Sequence, residues 1–239
     1  MKDKTLIFLL FISLYASYGQ VTADSIRLRF IPEFKNAPLE ANKKYISANN
    51  DTITIETFRF YLGNIKIGTA NNEAENLEKN YHLIDFSDRA SMEVAVKSPT
   101  QIENSLLQFE IGVDSLQSVS GALSGDLDPM HGMYWAWNSG YINIKLEGTS
   151  SSCSTRKNRF QFHIGGYAKP NCALQKLQIP LPNKWETKKE LVVRIDLANF
   201  FSYINLSTTN SVMIPGKEAL ALAEIAKQMF KLEWRKLGT

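Results

Sequence analysis

The stretch DTITIETFRFYLGNIKIG, residues 51–68, carries the clearest strand pattern in this chain of 239 residues. Isoleucines alternate with threonines in its first half, and Phe58, Phe60 and Leu62 fall on one parity in its second half. Successive side chains of a β-strand point to opposite faces, so this pattern gives a strand one apolar face. The stretch therefore predicts a long strand that packs one face against a core.

Other segments show similar short apolar or alternating runs between turn signals. These segments are residues 25–32, 81–86, 105–113, 141–148, 159–167, 174–181 and 190–201. Many short strands at this spacing are typical of an all-β fold, either an antiparallel β-sandwich or a barrel-like sheet.

Helical patterns are confined to two segments. Residues 215–234 begin with Pro215 and continue with a helix-period apolar stripe, which predicts a short C-terminal helix. The helix either packs on the sheet or stays exposed as a partner-binding surface. Residues 98–107 form a second, shorter candidate, and the Asn/Glu-rich segment 69–80 is expected to be a surface loop.

The N-terminus has the pattern of a secretion signal. Lys2 and Lys4 precede an apolar run of about eleven residues, and small residues allow a cut after Gly19. We expect residues 1–19 to be a signal peptide and residues 20–239 to be one β-domain, either periplasmic or secreted. No later segment approaches the length of a membrane span.

Charge and motifs argue against several classes of protein. The formal net charge is only +3, which gives no reason to expect a nucleic-acid or polyanionic partner. The sequence contains no G-x-S-x-G elbow, P-loop, strand–helix dinucleotide-binding motif or H-E-x-x-H. We therefore expect that the protein is not an enzyme.

Cys153 and Cys172 are the two cysteines of the chain. In an oxidising compartment they are expected to form a disulfide, which would close a loop around segment 159–167. Two free thiols and a thiolate metal site are the alternatives.

Soft metal donors and aromatic residues are concentrated in DPMHGMYWAWNSGYINIKLEG, residues 128–148. Met130, His131 and Met133 offer imidazole and thioether donors, which suit copper, although methionines also fill gaps in cores. Trp135 and Trp137 are two residues apart and would share one face of a strand. They form either a block in the core or an aromatic wall beside a pocket, and we expect packing to shield Trp137.

The two remaining histidines each lie in a strand-like segment. His163 has the opposite parity to Phe160 and Phe162, so it should face away from the core, towards solvent or a site. His82 lies within YHLID, where a packed or surface histidine is the plain alternative to a metal ligand.

Five segments occur in an order that resembles the MbnP-like family, exported proteins related to the copper-binding proteins MopE and CorA of methane oxidisers. The segments are FRFYLGNIKI (58–67), YHLIDF (81–86), FEIGVD (109–114), MYWAWNSGYINIKLEG (133–148) and FHIGGY (162–167). The resemblance implies an all-β periplasmic domain. In the copper-binding members, two histidines and a tryptophan oxidised to kynurenine hold copper, and a di-haem peroxidase-like partner of the MbnH type oxidises the tryptophan.

Carried over by position, the resemblance makes Trp135 the candidate for modification. It makes His82 and either His131 or Met133 the candidate copper ligands, with His163 as an alternative donor. The family pattern has a histidine two residues before the first tryptophan, where this chain has Met133. Either the loop bends to bring in His131, or Met133 replaces the histidine, or the site has lost copper. The expected function is copper binding or copper handling, and the alternative is a metal-free β-sandwich module that binds a partner or ligand.

Overall fold

A computed structural model of the chain describes residues 25–69, 80–99, 103–138, 140–182, 185 and 190–233. The predicted signal peptide, residues 1–19, and most of the predicted loop 69–80 lie outside the described residues.

The described residues form strands and three short α-helices. In chain order the strands are β1 (Ser25–Phe34), β2 (Ala37–Pro38), β3 (Lys44–Ile46), β4 (Thr52–Gly68), β5 (Tyr81–Asp85), β6 (Glu93–Lys97), β7 (Leu106–Ile111), β8 (Tyr134–Trp135), β9 (Gly140–Ser150), β10 (Arg159–Gly165), β11 (Gln175–Pro180), β12 (Glu190–Asp196), β13 (Ser211–Val212) and β14 (Phe230–Glu233). The helices are α1 (Ser115–Val119), α2 (Leu197–Ser202) and α3 (Lys217–Lys227). The predicted all-β class is confirmed.

The strands form two sheets of mixed direction. The smaller sheet has the order β14-β12-β1-β2, and β6 also pairs with β1. The larger sheet has the order β11-β7-β4-β9-β10-β13, with β3 and β5 on β4 and β8 on β9. Most pairs are antiparallel as predicted, but β1 with β12 and β10 with β13 are parallel. Each parallel pair joins strands that are distant in sequence, which local patterns do not report.

The long strand β4 organises the larger sheet. Its first half pairs with β9 and its second half with β7, while β5 pairs along the opposite edge. The register with β9 shifts between Ile55 and Thr57. Such a bulge adds one residue to a strand, so the buried positions change from odd, as at Ile53, to even, as at Phe58. The bulge explains the change of parity inside the opening sequence.

The main core lies between the two sheets and is rich in aromatic rings. Phe30 of β1 meets Phe60 of β4 with ring centroids 6.1 Å apart, and Phe60 meets Phe230 of β14 at 5.4 Å. Both contacts are edge-to-face, and each fully buried phenylalanine contributes about 1.5–3 kcal/mol relative to an exposed one. Helices α2 and α3 contribute apolar side chains to the same core.

The C-terminal helix is confirmed, but it is shorter than predicted. Helix α3 ends at Lys227 and packs against β10 and β11. The chain then forms β14, where Phe230 pairs with Ile195 of β12. Pairing with a free strand edge and burial of Phe230 therefore outweigh local helix propensity in the last part of the predicted helix.

Two other predicted elements need correction. The predicted strand 190–201 ends at Asp196, whose side chain accepts a hydrogen bond from Ala198 N at 3.0 Å and so caps α2. In the predicted helix 98–107, Leu106 already belongs to β7, and the described residues before it are turn or irregular backbone.

The predicted disulfide between Cys153 and Cys172 is wrong, because both are free cysteines. Cys153 N donates to Ser150 O at the Arg159 end of β10, whereas Cys172 precedes Ala173, whose N–H donates to Gly166 O at the other end. From Arg159 to Gly165 an extended strand rises about 20 Å. A disulfide needs Cα atoms about 4.4–6.8 Å apart, so cysteines at opposite ends of one strand cannot join.

Candidate functional site

A second, smaller apolar cluster lies on the face of the larger sheet that points away from the main core. Tyr61 of β4 projects to this face, since Phe60 and Leu62 point into the main core. The cluster comprises Tyr61, Val113, Leu127, Met133, Trp135, Tyr141 and Ile142. Residues 114–138, called here the covering loop, supply Leu127, Met133 and Trp135 to it. The cluster therefore holds the covering loop on the sheet.

Two consecutive 3₁₀ turns shape the part of the covering loop that contains His131. The first spans Gly125–Leu127 and the second Pro129–His131, and Asp128 Oδ1 accepts a hydrogen bond from Met130 N at 2.8 Å to cap the second. Gly132 then adopts a left-handed conformation with φ 67°. A glycine takes this conformation without steric cost, which lets the chain turn back towards the sheet after His131.

Two cations of the sheet bind the turn that follows. Arg59 Nη1 donates to His131 O at 3.1 Å, and Lys145 Nζ donates to Gly132 O at 3.2 Å. Arg59 is itself held by Asp85, with Nε 2.6 Å from Oδ2. Arg59 is the register partner of both Asp85 on β5 and Lys145 on β9, so the three side chains form one row across the sheet. We call Arg59 and Lys145 the carbonyl clamp.

The His131 imidazole is exposed and has a defined hydrogen bond. Its Nε2 lies 3.1 Å from Gly125 O. A carbonyl oxygen can only accept, so Nε2 is the donor, and in the neutral imidazole this leaves the lone pair on Nδ1. Metal-binding histidines are commonly oriented in this way, with the non-coordinating N–H donated to a backbone carbonyl.

His82 lies on β5 and borders the same 3₁₀ turn. Its neighbour Leu83 donates its backbone N–H to Asp126 Oδ2 at 3.0 Å. Burial lowers the pKa of His82, and the negative charge of Asp126 opposes that shift. His82 is therefore neutral at pH 7, the form that can coordinate a metal. The turn thus meets β5 through the backbone of Leu83. The side chain of His82, the register partner of Leu62, projects to the main-core side of the sheet, so the structure does not place the two imidazoles side by side.

Met133 and Trp135 are buried between the covering loop, to which they belong, and the sheet. Met133 is fully buried, and its carbonyl accepts a hydrogen bond from Ile142 N at 2.9 Å. The indole of Trp135, which is 6% exposed, lies against the backbone of Gly165. A Cβ at Gly165 would come within 2.8 Å of the indole ring. The indole of Trp135 can pack against this backbone because Gly165 has no side chain.

Trp137 does not share a strand face with Trp135, which corrects the expectation that packing shields it. Strand β8 ends at Trp135, and Asn138 N donates to Trp135 O in a turn. Trp137 is therefore 64% exposed, with its ring centroid 6.1 Å from that of Trp135. Met130 is also exposed. The exposed ring of Trp137 therefore lies at the surface beside the buried ring of Trp135. The two tryptophans do not form a single block in the core.

His163 lies apart from the covering loop. It faces away from the main core as predicted, and its Nε2 is 2.8 Å from Glu147 Oε1. The hydrogen bond from His163 lowers the pKa of Glu147 to about 2. Strands β4 and β9 separate β10 from β5, so the strands that carry His163 and His82 are about 14 Å apart. The structure does not bring these two imidazoles together.

Sequence reasoning missed several residues that shape the site. Arg59 and Lys145 looked like ordinary polar positions of strands, and Asp126 carried no motif. Tyr61 has a buried hydroxyl with no hydrogen-bond partner among the described residues, and burial raises its pKa. The one available signal was parity, because Arg59 and Lys145 fall opposite the apolar positions of their strands.

The family follows from a comparison with known protein families. A family model described as MbnP matches residues 23–214 of the chain. The chain belongs to the MbnP family. This MbnP-family chain is also similar to a solved structure of MbnP from Methylosinus trichosporium, at 14% sequence identity and a TM-score of 0.61. The similarity covers 87% of this chain and 97% of that one, and at this identity it shows the fold alone.

Three further observations concern the relatives, helices and metal-binding groups of this MbnP-family chain. No curated protein matches it. Within the described residues, no helix is both long and apolar enough to cross a membrane. Nor do those residues contain a group of three or more His, Cys, Asp or Glu side chains that could hold a metal ion.

Proposed function

We propose that this chain is a copper-handling protein without catalytic activity and that His82 and His131 bind the copper ion as cargo. The observation that carries the proposal is the exposed His131 imidazole, which the hydrogen bond from Nε2 to Gly125 O orients at a turn that contacts β5 next to His82. Membership of the MbnP family supports it, because the resemblance implies a copper site built from two histidines and a tryptophan-derived group.

The donors suit copper better than a hard metal ion. His131 offers Nδ1, since Nε2 donates to Gly125 O, and burial keeps His82 neutral. Imidazole suits copper, whereas calcium and magnesium require several oxygen donors. No third His, Cys, Asp or Glu joins a metal-binding group among the described residues. Imidazole donors of this kind fit a soft ion with few ligands, such as Cu(I), and His163 has no part in the proposed site.

Trp135 is the proposed source of a further donor. An intact indole has an N–H donor but no lone pair suited to a metal. Two equivalents of peroxide would break the C2–C3 bond of the indole, place one oxygen atom on each of the two carbons and release two waters. Hydrolysis would then remove C2 as formate, leaving a ketone and an aromatic amine that can coordinate.

An outside oxidant must carry out this step, and we propose a di-haem peroxidase-like partner of the MbnH type. Trp137 gives such a partner an exposed ring 6.1 Å from Trp135. Conversion to kynurenine adds about 4 Da, so peptide mass mapping of protein from its native source tests the proposal. Intact Trp135 in copper-loaded native protein would contradict it.

Copper binding itself is tested by titrating Cu(I) against a chromophoric chelator. We expect binding of about one equivalent. The double variant His82→Ala/His131→Ala should lose it, while His163→Gln, which keeps a hydrogen-bond donor to Glu147, should bind as the unchanged protein does. Equal copper affinity in the double variant would refute the ligand assignment.

A metal-free interaction module is the second candidate, and the exposed apolar side chains of the covering loop favour it. Met130 is 90% exposed and Trp137 64% exposed. Exposed apolar groups of this size are typical of surfaces that contact other proteins. If the titration shows no copper binding by the native-source protein, this candidate replaces the first.

We also propose that the chain is exported, since residues 1–19 have the pattern of a signal peptide. N-terminal sequencing of the native protein should begin at Gln20. An N-terminus that retains residues 1–19 would contradict export through this signal.

A further inference from the structure

A basic cavity lies at the far end of β10, away from the covering loop. It has a volume of about 360 Å³, which is within the range of small-molecule sites. Three elements line it: the turn at Arg156–Asn158, the outer face of β10 and strand β13. The lining residues are Thr155, Arg156, Lys157, Arg159, Gln161 and Ser211.

The cavity is more positive than the net charge of the chain suggests. Arg156, Lys157 and Arg159 all line it, and Arg159 forms an ion pair with Glu56 at 2.8 Å. Arg156 and Lys157 are exposed and form no ion pair with any described residue. Two positive charges therefore face the cavity without a carboxylate partner in the described part of the chain.

Neighbouring groups fix the floor of the cavity in place. Glu56, the exposed residue at the β4 bulge, holds Nη1 of the Arg159 guanidinium in an ion pair. Glu147 accepts a hydrogen bond from Gln161 Nε2 at 3.3 Å, and His163 holds Glu147 in turn. Donors held in this way lose less conformational freedom when a ligand binds.

We propose that this cavity, called here the Arg156 pocket, binds a phosphate group. Phosphate carries close to two negative charges and several strong acceptor oxygens, and guanidinium groups match it through paired hydrogen bonds. Donors from the Arg156–Asn158 turn and from β10 line the pocket, and a tetrahedral anion can accept hydrogen bonds from several directions. The phosphate can belong to a free ion or to a lipid headgroup.

The test is a titration of the mature protein with inorganic phosphate at constant ionic strength, followed by amide chemical shifts. We expect saturable shifts at residues 155–161 and 211. The variant Arg156→Gln/Lys157→Gln should bind phosphate at least about tenfold more weakly, because two charge-assisted contacts are lost. The charge-matched control Lys97→Gln/Lys231→Gln, on the smaller sheet, should bind as the unchanged protein does.

Two results would overturn the proposal: shifts that do not saturate, or equal phosphate affinity in the Arg156→Gln/Lys157→Gln variant. Sedimentation with vesicles that contain phosphatidylglycerol then separates the two sources. Co-sedimentation that free phosphate displaces supports a headgroup, and saturable phosphate binding without co-sedimentation supports a soluble ligand. Because neither arm uses copper, failure of the copper titration leaves this test unaffected.

Discussion

Replacing Gly165 by alanine tests how Trp135 is positioned. A Cβ at this residue would lie 2.8 Å from two atoms of the Trp135 ring and 2.6 Å from Tyr141 O. Gly165 does not have a positive φ, so any loss of stability comes from these contacts and not from backbone strain. The ring and the carbonyl both belong to the β8–β9 pairing, where Trp135 faces Gly140 and Tyr134 faces Tyr141.

The expected cost follows from these distances. Overpacking a well-filled site by one methyl group typically costs about 1–3 kcal/mol. For a domain of this size each kcal/mol lowers the melting temperature by about 2–4 °C, so the variant should melt about 2–12 °C lower. Displacement of the indole should also change the near-UV circular dichroism of the folded protein.

Gly68→Ala is the matched control. Gly68 is also a buried strand glycine without positive φ, but a Cβ there would meet no atom within 4 Å. Its melting temperature should stay close to that of the unchanged protein, or rise slightly because alanine restricts the unfolded chain. If Gly165→Ala and Gly68→Ala melt together and give the same near-UV spectrum, Trp135 does not pack on Gly165.

Three further predictions concern thiols, pH and packing. In unreduced protein, a thiol reagent should label Cys172 in the folded state and Cys153 only after unfolding, since burial shields Cys153 and raises its pKa. The absence of any titratable thiol in the unreduced, unfolded protein would restore the disulfide. The carboxylate of Glu147 has a folded pKa of about 2, which is below its ordinary value of 4.5. Its ionised form therefore stabilises the fold above pH 4.5, and this stabilisation should be lost as the pH falls from 4.5 to 2. Acid unfolding of Glu147→Gln should lack that component, and an unchanged pH profile would contradict the assignment. Met133→Ala should lower the free energy of unfolding by about 2–5 kcal/mol, because it leaves a cavity in the smaller cluster. The exposed control Met130→Ala should change it by less than about 0.5 kcal/mol. Equal effects would show that Met133 is not packed as described.

The two ends of the family segment MYWAWNSGYINIKLEG, residues 133–148, have separate structural roles. At its start, Trp135 is buried against Gly165. At its end, Glu147 binds His163 and Gln161, and Gly148 lies at the β4 bulge, where a Cβ would come within 2.0 Å of Thr54 O. The stretch therefore joins the covering loop to the centre of the larger sheet, and its last two residues act on the sheet, not on the proposed copper ligands.

The carbonyl clamp offers a reason for the position of His131. A histidine on a loop can coordinate a metal only if the loop presents it in a fixed direction. Arg59 and Lys145 bind the carbonyls of His131 and Gly132, and both cations lie on adjacent central strands of the larger sheet. The rigid sheet thus fixes the backbone of the residue proposed as a ligand, although neither cation touches its ring.

Local sequence patterns determined most of the strands and the helix α3. Alternation reports which side of a strand is apolar, and the main core follows from it: Phe58, Phe60 and Leu62 all point inward as their parity predicts. The order of the family segments was sufficient for the MbnP resemblance, which the match over residues 23–214 confirms. These properties depend on short stretches of chain, so they can be predicted without the tertiary structure.

Only the tertiary structure decided which distant residues meet. The bulge at Glu56 reversed the parity of β4, strand pairing turned the end of the predicted helix into β14, and the extended length of β10 kept the two cysteines apart. The turn after Trp135 exposed Trp137, and the path of the covering loop brought the turn that orients His131 against the backbone of β5 at Leu83. Each of these outcomes depends on strand register or on a loop's path across the sheet. Both are set by packing between segments far apart in sequence, which the local order of residues does not encode.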